Sequence, residues 1–119
     1  MTCETYTFLA TSWDVGKALE MIAAGDVLKE GTLALSEGRK LLSLHRVNEE
    51  YADKLTDADL ERPVVLAVQT IDDSGPFTML IDGWHRIWKA NKLDRESLPA
   101  VLIDGDKVIR RPLKLRDDD

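Results

Sequence analysis

The chain has 119 residues, 44% hydrophobic and 32% charged, a length and balance that suit one packed domain and exclude wholesale disorder. A formal net charge of -6 argues against gripping nucleic acid unaided, because phosphate neutralisation needs a basic face. One cysteine, Cys3, rules out an internal disulfide, and no run approaches the roughly 18 apolar residues of a membrane span. Residues 1–4 lack a signal-peptide pattern, so the expectation is a soluble, cytoplasmic protein with no membrane partner.

Residues 5–10 (Thr5-Tyr6-Thr7-Phe8-Leu9-Ala10) are β-branched and aromatic and predict a short strand. Asp14 stands as a helix cap before Val15, Leu19, Ile22 and Ala23, and Gly25 ends that helix. Residues 27–35 carry Leu28, Leu33 and Leu35 around Gly31, a strand or a hairpin. The apolar run from Leu41 to Leu44 predicts a strand, and Val47, Tyr51 and Leu55 mark the inner face of a short amphipathic helix. Pro63 to Val68 reads as a strand buried on both faces. The turn Asp72-Asp73-Ser74-Gly75-Pro76 joins it as a hairpin to Phe77-Thr78-Met79-Leu80-Ile81. Trp84, Ile87, Trp88 and Leu93 space a helix from Trp84 to Lys92, with Asp82 as its side-chain cap. A strand over Leu98-Pro99-Ala100-Val101-Leu102-Ile103 closes at Asp104-Gly105-Asp106, across which Val108-Ile109 pairs back. The acidic end, residues 117–119, reads as a frayed tail. The sum is a compact single α+β domain over residues 1–119 with a small mixed sheet.

Chemistry concentrates at Asp82-Gly83-Trp84-His85-Arg86, where a strand hands over to a helix. The first N–H groups of a helix lack internal acceptors and, with the helix dipole, favour an anion. Gly83 lets a ligand or a tight bend come close. Arg86 supplies a planar fork for phosphate oxygens and His85 a donor whose charge answers to its surroundings. The same residues have a plain structural reading. Asp82 caps the helix, His85 bonds a backbone carbonyl, Arg86 pairs with a carboxylate, and Trp84 and Trp88 pack the core. Neither the histidines His45 and His85 with Cys3 nor any cysteine pair makes a structural zinc site. Lys107, Arg110, Arg111, Lys114 and Arg116 alternate with apolar residues, as a contact surface or as a charge-protected edge strand.

The run Met79-Leu80-Ile81-Asp82-Gly83-Trp84-His85-Arg86-Ile87, the helix after it, Leu98-Pro99-Ala100-Val101, and the earlier Arg62-Pro63-Val64-Val65-Leu66 together resemble the core of the ParB/sulfiredoxin-like superfamily. The likeness spans about residues 45–103 and leaves residues 1–40 as an unmatched extension. It implies a ParB/sulfiredoxin-like fold whose turn holds nucleotide phosphates on Gly83, Trp84, His85 and Arg86. In that superfamily partition proteins bind CTP there, sulfiredoxins bind ATP beside a catalytic cysteine, and free-serine kinases carry an Asp-Gly-X-His-Arg version. Trp84 stands where a sulfiredoxin has its cysteine, and with few residues after the last strand a helix-turn-helix module is not expected. The kinase-like spelling fits best. It implies ATP, ADP or CTP as ligand, Mg²⁺ bound with the nucleotide through Asp82, and Asp82 and His85 as catalytic groups for phosphoryl transfer or nucleotide hydrolysis. A general base would come from Glu49 or Glu50, which also read as solvated helix-face charges, and His45-Arg46 forms a second basic pair. Two other functions stay open: a non-enzymatic interaction module acting on a protein partner, and a nuclease-like protein.

Overall fold

The computed structural model describes the backbone of residues 5–8, 11–42, 46–70 and 76–110, and their side chains apart from residues 5–8, 11, 70 and 110. Its elements are β1 (Thr5–Phe8), β2 (Thr11–Asp14), α1 (Val15–Ala23), β3 (Lys29–Ala34), α2 (Leu35–Leu41), α3 (Glu49–Asp53), α4 (Asp57–Leu60), β4 (Val64–Thr70), β5 (Pro76–Asp82), α5 (Trp84–Lys92), β6 (Ser97–Asp104), a 3₁₀ turn (Gly105–Lys107) and β7 (Ile109–Arg110). The strands form two sheets, one ordered β1-β2-β7 and one ordered β3-β6-β4-β5. The larger sheet is mixed, since β4 runs parallel to β6 while β3–β6 and β4–β5 are antiparallel. The α+β class and the small mixed sheet stand as expected. No helix among the described residues is long and apolar enough to cross a membrane.

Strands β4 and β6 occupy the middle of the larger sheet because their sequences suit it. Val64, Val65, Ala67, Leu98, Val101 and Ile103 are all buried, as an apolar run covered from both sides requires. Pro99 lacks the N–H an interior strand uses. It is tolerated because it pairs with Thr32 of β3 one residue before β4 joins β6 at Ala100. The β4–β5 hairpin forms as predicted; its turn, residues 71–75, lies outside the described residues.

The first half departs from expectation in several places. Asp14 does cap α1, accepting from the Lys17 N–H at 3.0 Å, and Gly25 follows at φ 83°. The buried stripe, however, is Val15, Ala18 and Met21, while Leu19 and Ala23 face outward. The strand expected over residues 41–44 is absent at Leu41 and Leu42, which close helix α2; residues 43 and 44 lie outside the described residues. The physical reason is that Leu35, Gly38 and Leu41 share one helical face. A Cβ on Gly38 would sit 3.1 Å from Ile87 Cγ2, so the glycine lets α2 lie close on α5. In α3 it is Ala52 that is buried, and Tyr51 is exposed rather than inward. Within residues 27–35, Lys29–Ala34 form strand β3, paired to β6 and not to a local hairpin partner. Residues 5–8 form β1, and a second strand, β2, follows it unforeseen. Val108-Ile109 does not fold back on β6. Ile109 instead pairs with Trp13, so β7 completes the smaller sheet.

One buried polar latch joins the two sheets. Trp13 Nε1 donates to Gln69 Oε1 at 2.8 Å, and Gln69 Nε2 donates to the Phe77 carbonyl at 2.9 Å. Both side chains are 1% exposed, so each polar atom needs its partner. A Cβ at Gly105 would overlap Gln69 Oε1 and lie 3.0 Å from both Ala67 Cβ and the Val68 carbonyl oxygen. Gly105→Ala should therefore displace Gln69 from Trp13 and lower the unfolding free energy by about 1–3 kcal/mol. Urea denaturation would measure the loss, and a red shift of tryptophan emission would report the opened latch.

Candidate functional site

Strand β5 ends at Asp82 and α5 starts at Trp84, so one residue makes the turn. Gly83 holds φ 115°, a conformation that side-chain-bearing residues rarely adopt. A Cβ there would lie 2.5 Å from Val64 Cγ1 and 3.1 Å from Val64 Cα. The close approach that demands glycine is thus made by the start of β4. Gly83 is also the helix N-cap, with no side-chain cap bond, which corrects the expected capping role of Asp82.

Asp82 instead faces Arg86 one turn along, and Arg86 Nη2 meets Asp82 Oδ2 at 2.9 Å. Arg86 Nη1 donates to the carbonyls of Arg62 at 2.8 Å and Pro63 at 2.9 Å. Arg86 is 7% exposed. Burial pushes its pKa below the ordinary arginine value, and the neighbouring Asp82 charge opposes that shift. Arg86 therefore ties α5 to the residues leading into β4, a role its sequence position does not advertise.

His85 Nε2 accepts the Asn48 N–H at 3.3 Å, and the Tyr51 ring stands edge-on to the imidazole, with centroids 5.0 Å apart at 86°. These contacts bring α3 over the first turn of α5. Together they enclose a cleft of about 190 Å³ lined by Asp82, Gly83, His85, Arg86, Arg62, Tyr51, Leu55 and Leu19. Four of the five turn residues thus share one concave surface. Trp84 does not line it, being 4% exposed and part of the core.

The remaining sequence candidates are dispersed. Glu49 and Glu50 are exposed in the first turn of α3 and are not among the cleft's lining residues. Arg46 is exposed, while His45, Cys3 and residues 111–119 lie outside the described residues. Lys107 pairs with Asp26 at 3.2 Å. Sequence reasoning missed Arg62 as a cleft residue and assigned Leu19, Tyr51 and Leu55 to inward faces. Only Arg62, next to Pro63 at the head of β4, carried a usable signal.

A resident Mg²⁺ does not fit this donor set. Among the described residues no three His, Cys, Asp or Glu side chains converge as a metal site, and the one carboxylate in the cleft is already neutralised by Arg86. Comparison of the chain with protein-family models, curated proteins and solved structures gave no match.

Two substitutions test this account. Gly83→Ala combines a left-handed backbone with a clash against β4, so thermal or urea unfolding should show a loss of about 2–4 kcal/mol. Arg86→Lys keeps the charge but loses the fork that serves two carbonyls and a carboxylate at once. A loss of about 2–3 kcal/mol in the same assay is expected, and a neutral result would refute the tying role.

Proposed function

We propose that the cleft binds the phosphate of a nucleotide, in a domain of the ParB/sulfiredoxin type. The observation that carries this reading is the convergence of unlike surfaces on the α5 N-terminus. The helix start and Arg62 supply positive potential and donors, with His85 beside them, while Leu19 and Tyr51, 42% and 54% exposed, offer an apolar wall. A phosphate alone needs no such wall; a nucleoside phosphate uses both. At about 190 Å³ the cleft accepts a phosphate and a ring edge and leaves the rest of the ligand in solvent.

The chemistry offered is capture and not turnover. Phosphoryl transfer relies on charge neutralisation by metal ions and a base for the attacking hydroxyl. Asp82 is spent on Arg86, and Glu49 and Glu50 point away from this role by their exposure on α3. Arg62 is the arginine best placed for ligand. Its side chain is 64% exposed, with a loose 3.6 Å contact to Asp59. A second reading, an interaction module acting on a protein partner, is favoured by one observation: the fork of Arg86, which the motif would offer to phosphate, is given to the protein's own backbone.

Calorimetric titration of ATP, ADP and CTP, each with Mg²⁺, separates the two. Wild type should bind at least one of them, and Arg62→Ala/His85→Ala should weaken that binding by about tenfold or more. Unchanged affinity in the double variant would place the ligand elsewhere. No binding to wild type would overturn the nucleotide reading in favour of a protein partner.

A further inference from the structure

Helix α3 reaches α5 through contacts that water can enter. Of its five residues only Ala52 is buried. The rest of the junction is polar: Asn48 N–H on His85, Lys89 Nζ on the Asp53 carbonyl at 2.6 Å and carboxylate at 3.3 Å, and Lys92 Nζ on the same carboxylate at 2.5 Å. Tyr51, edge-on to His85, and Leu55 just beyond α3 form the outer wall of the cleft. Segments held by few apolar contacts and by solvent-accessible hydrogen bonds open at low free-energy cost.

The bond at His85 has a property the ion pairs lack. A ring nitrogen that accepts a hydrogen bond carries a lone pair, so the imidazole that accepts from Asn48 is neutral at Nε2. In the imidazolium both nitrogens are donors. Protonation therefore sets an N–H against the Asn48 N–H, donor against donor. We propose that residues 48–55 form a strap over the cleft, latched by the neutral imidazole of His85 and released when that imidazole takes up a proton.

The surroundings keep the latch specific. Among the described residues, the charged and titratable groups that share the cleft with His85 are Tyr51 from α3, Arg62 and Asp82 from the other walls, and Arg86 on α5 itself, while Glu49 and Glu50 are exposed in the first turn of α3. Among these side-chain types imidazole is the one that ordinarily changes charge between about pH 5 and pH 8. Asp53 is held below the usual carboxylate value, first by its hydrogen bond from Lys92 and then by that from Lys89. Its ion pairs therefore persist through the same range, and the strap swings on them instead of detaching. The sign follows from proton counting. The closed strap binds no proton at Nε2 and the open strap binds one, so opening is favoured as pH falls. Where the cleft holds a phosphate, the anion favours the imidazolium, and ligand and proton then open the strap together. That last coupling rests on the nucleotide reading; the latch does not.

Hydrogen exchange on the ligand-free full chain tests the latch, with rates corrected for the intrinsic pH dependence of exchange. Between about pH 8 and about pH 5.5, protection of the amides of residues 48–52 should fall about tenfold in wild type while β4 keeps its protection. His85→Gln retains an oxygen acceptor that does not titrate, so its strap should show no such fall. A second arm needs no variant: the pH midpoint of strap opening must coincide with the midpoint of the His85 ring-proton NMR titration. Constant protection in wild type, an equal fall in His85→Gln, a parallel fall in β4, or separate midpoints would each overturn the proposal. No nucleotide enters these measurements, so their failure and a failure of the nucleotide reading are distinguishable.

Discussion

Three acceptors on two parts of the chain meet one side chain. The guanidinium of Arg86 holds the Arg62 and Pro63 carbonyls, just before β4, and the Asp82 carboxylate, at the end of β5. Each acceptor sits where a strand begins or ends. Because the guanidinium is nearly out of water, its charge has to be matched in place, and Asp82 does that. With these three points fixed, Val64 is pressed against Gly83, and the turn can only be a glycine in the left-handed region. The helix start, the strand head and the strand end are one rigid junction. The cleft is its outer surface.

That arrangement divides labour between two arginines that look alike in the sequence. Arg86 is consumed by the scaffold, and Arg62 extends into solvent at the rim. In a chain of net charge -6, a small electropositive spot at a helix start is a local feature against an unfavourable background field. Affinity for an anion must then come from short-range donors and not from long-range attraction. The neighbouring apolar side chains Leu19 and Tyr51 matter for the same reason, since they add contact where charge alone is weak.

Much of the second half of the molecule was legible in the sequence. The apolar run at residues 63–68 announced an interior strand, the run at 98–103 announced a strand, and the spacing from Trp84 to Lys92 gave α5 with its observed bounds. What failed was information carried by distant partners. Leu41 and Leu42 look like a strand until Gly38 is seen to seat α2 against Ile87. Leu19 and Tyr51 look like inward positions until the cleft is seen to border both. Ile109 needed a neighbour, and nothing local says that Trp13 supplies it. At the site, the turn residues were visible because a strand end followed by Gly, His and Arg is a local pattern. Tyr51 and Leu55 were not, because only the tertiary fold brings them to the turn. Asp82 misled for the opposite reason: its position suits a cap, but a buried arginine one turn on outcompetes the backbone for its carboxylate.

The placement of β6 has a consequence for how a nascent chain matures. It lies between β3 and β4, yet it is the last strand of its sheet to be synthesised. Each residue of β3 meets a partner lying between 63 positions downstream (Ala34 to Ser97) and 73 positions downstream (Lys29 to Leu102). Before β6 is available, the β4–β5 hairpin can close on itself, but β3 has nothing to bind and the inner edge of β4 lies open. The sheet is completed by insertion of a strand and not by extension at its rim. Until β6 is in place, the sheet is open between β3 and β4 by a slot of one strand's width.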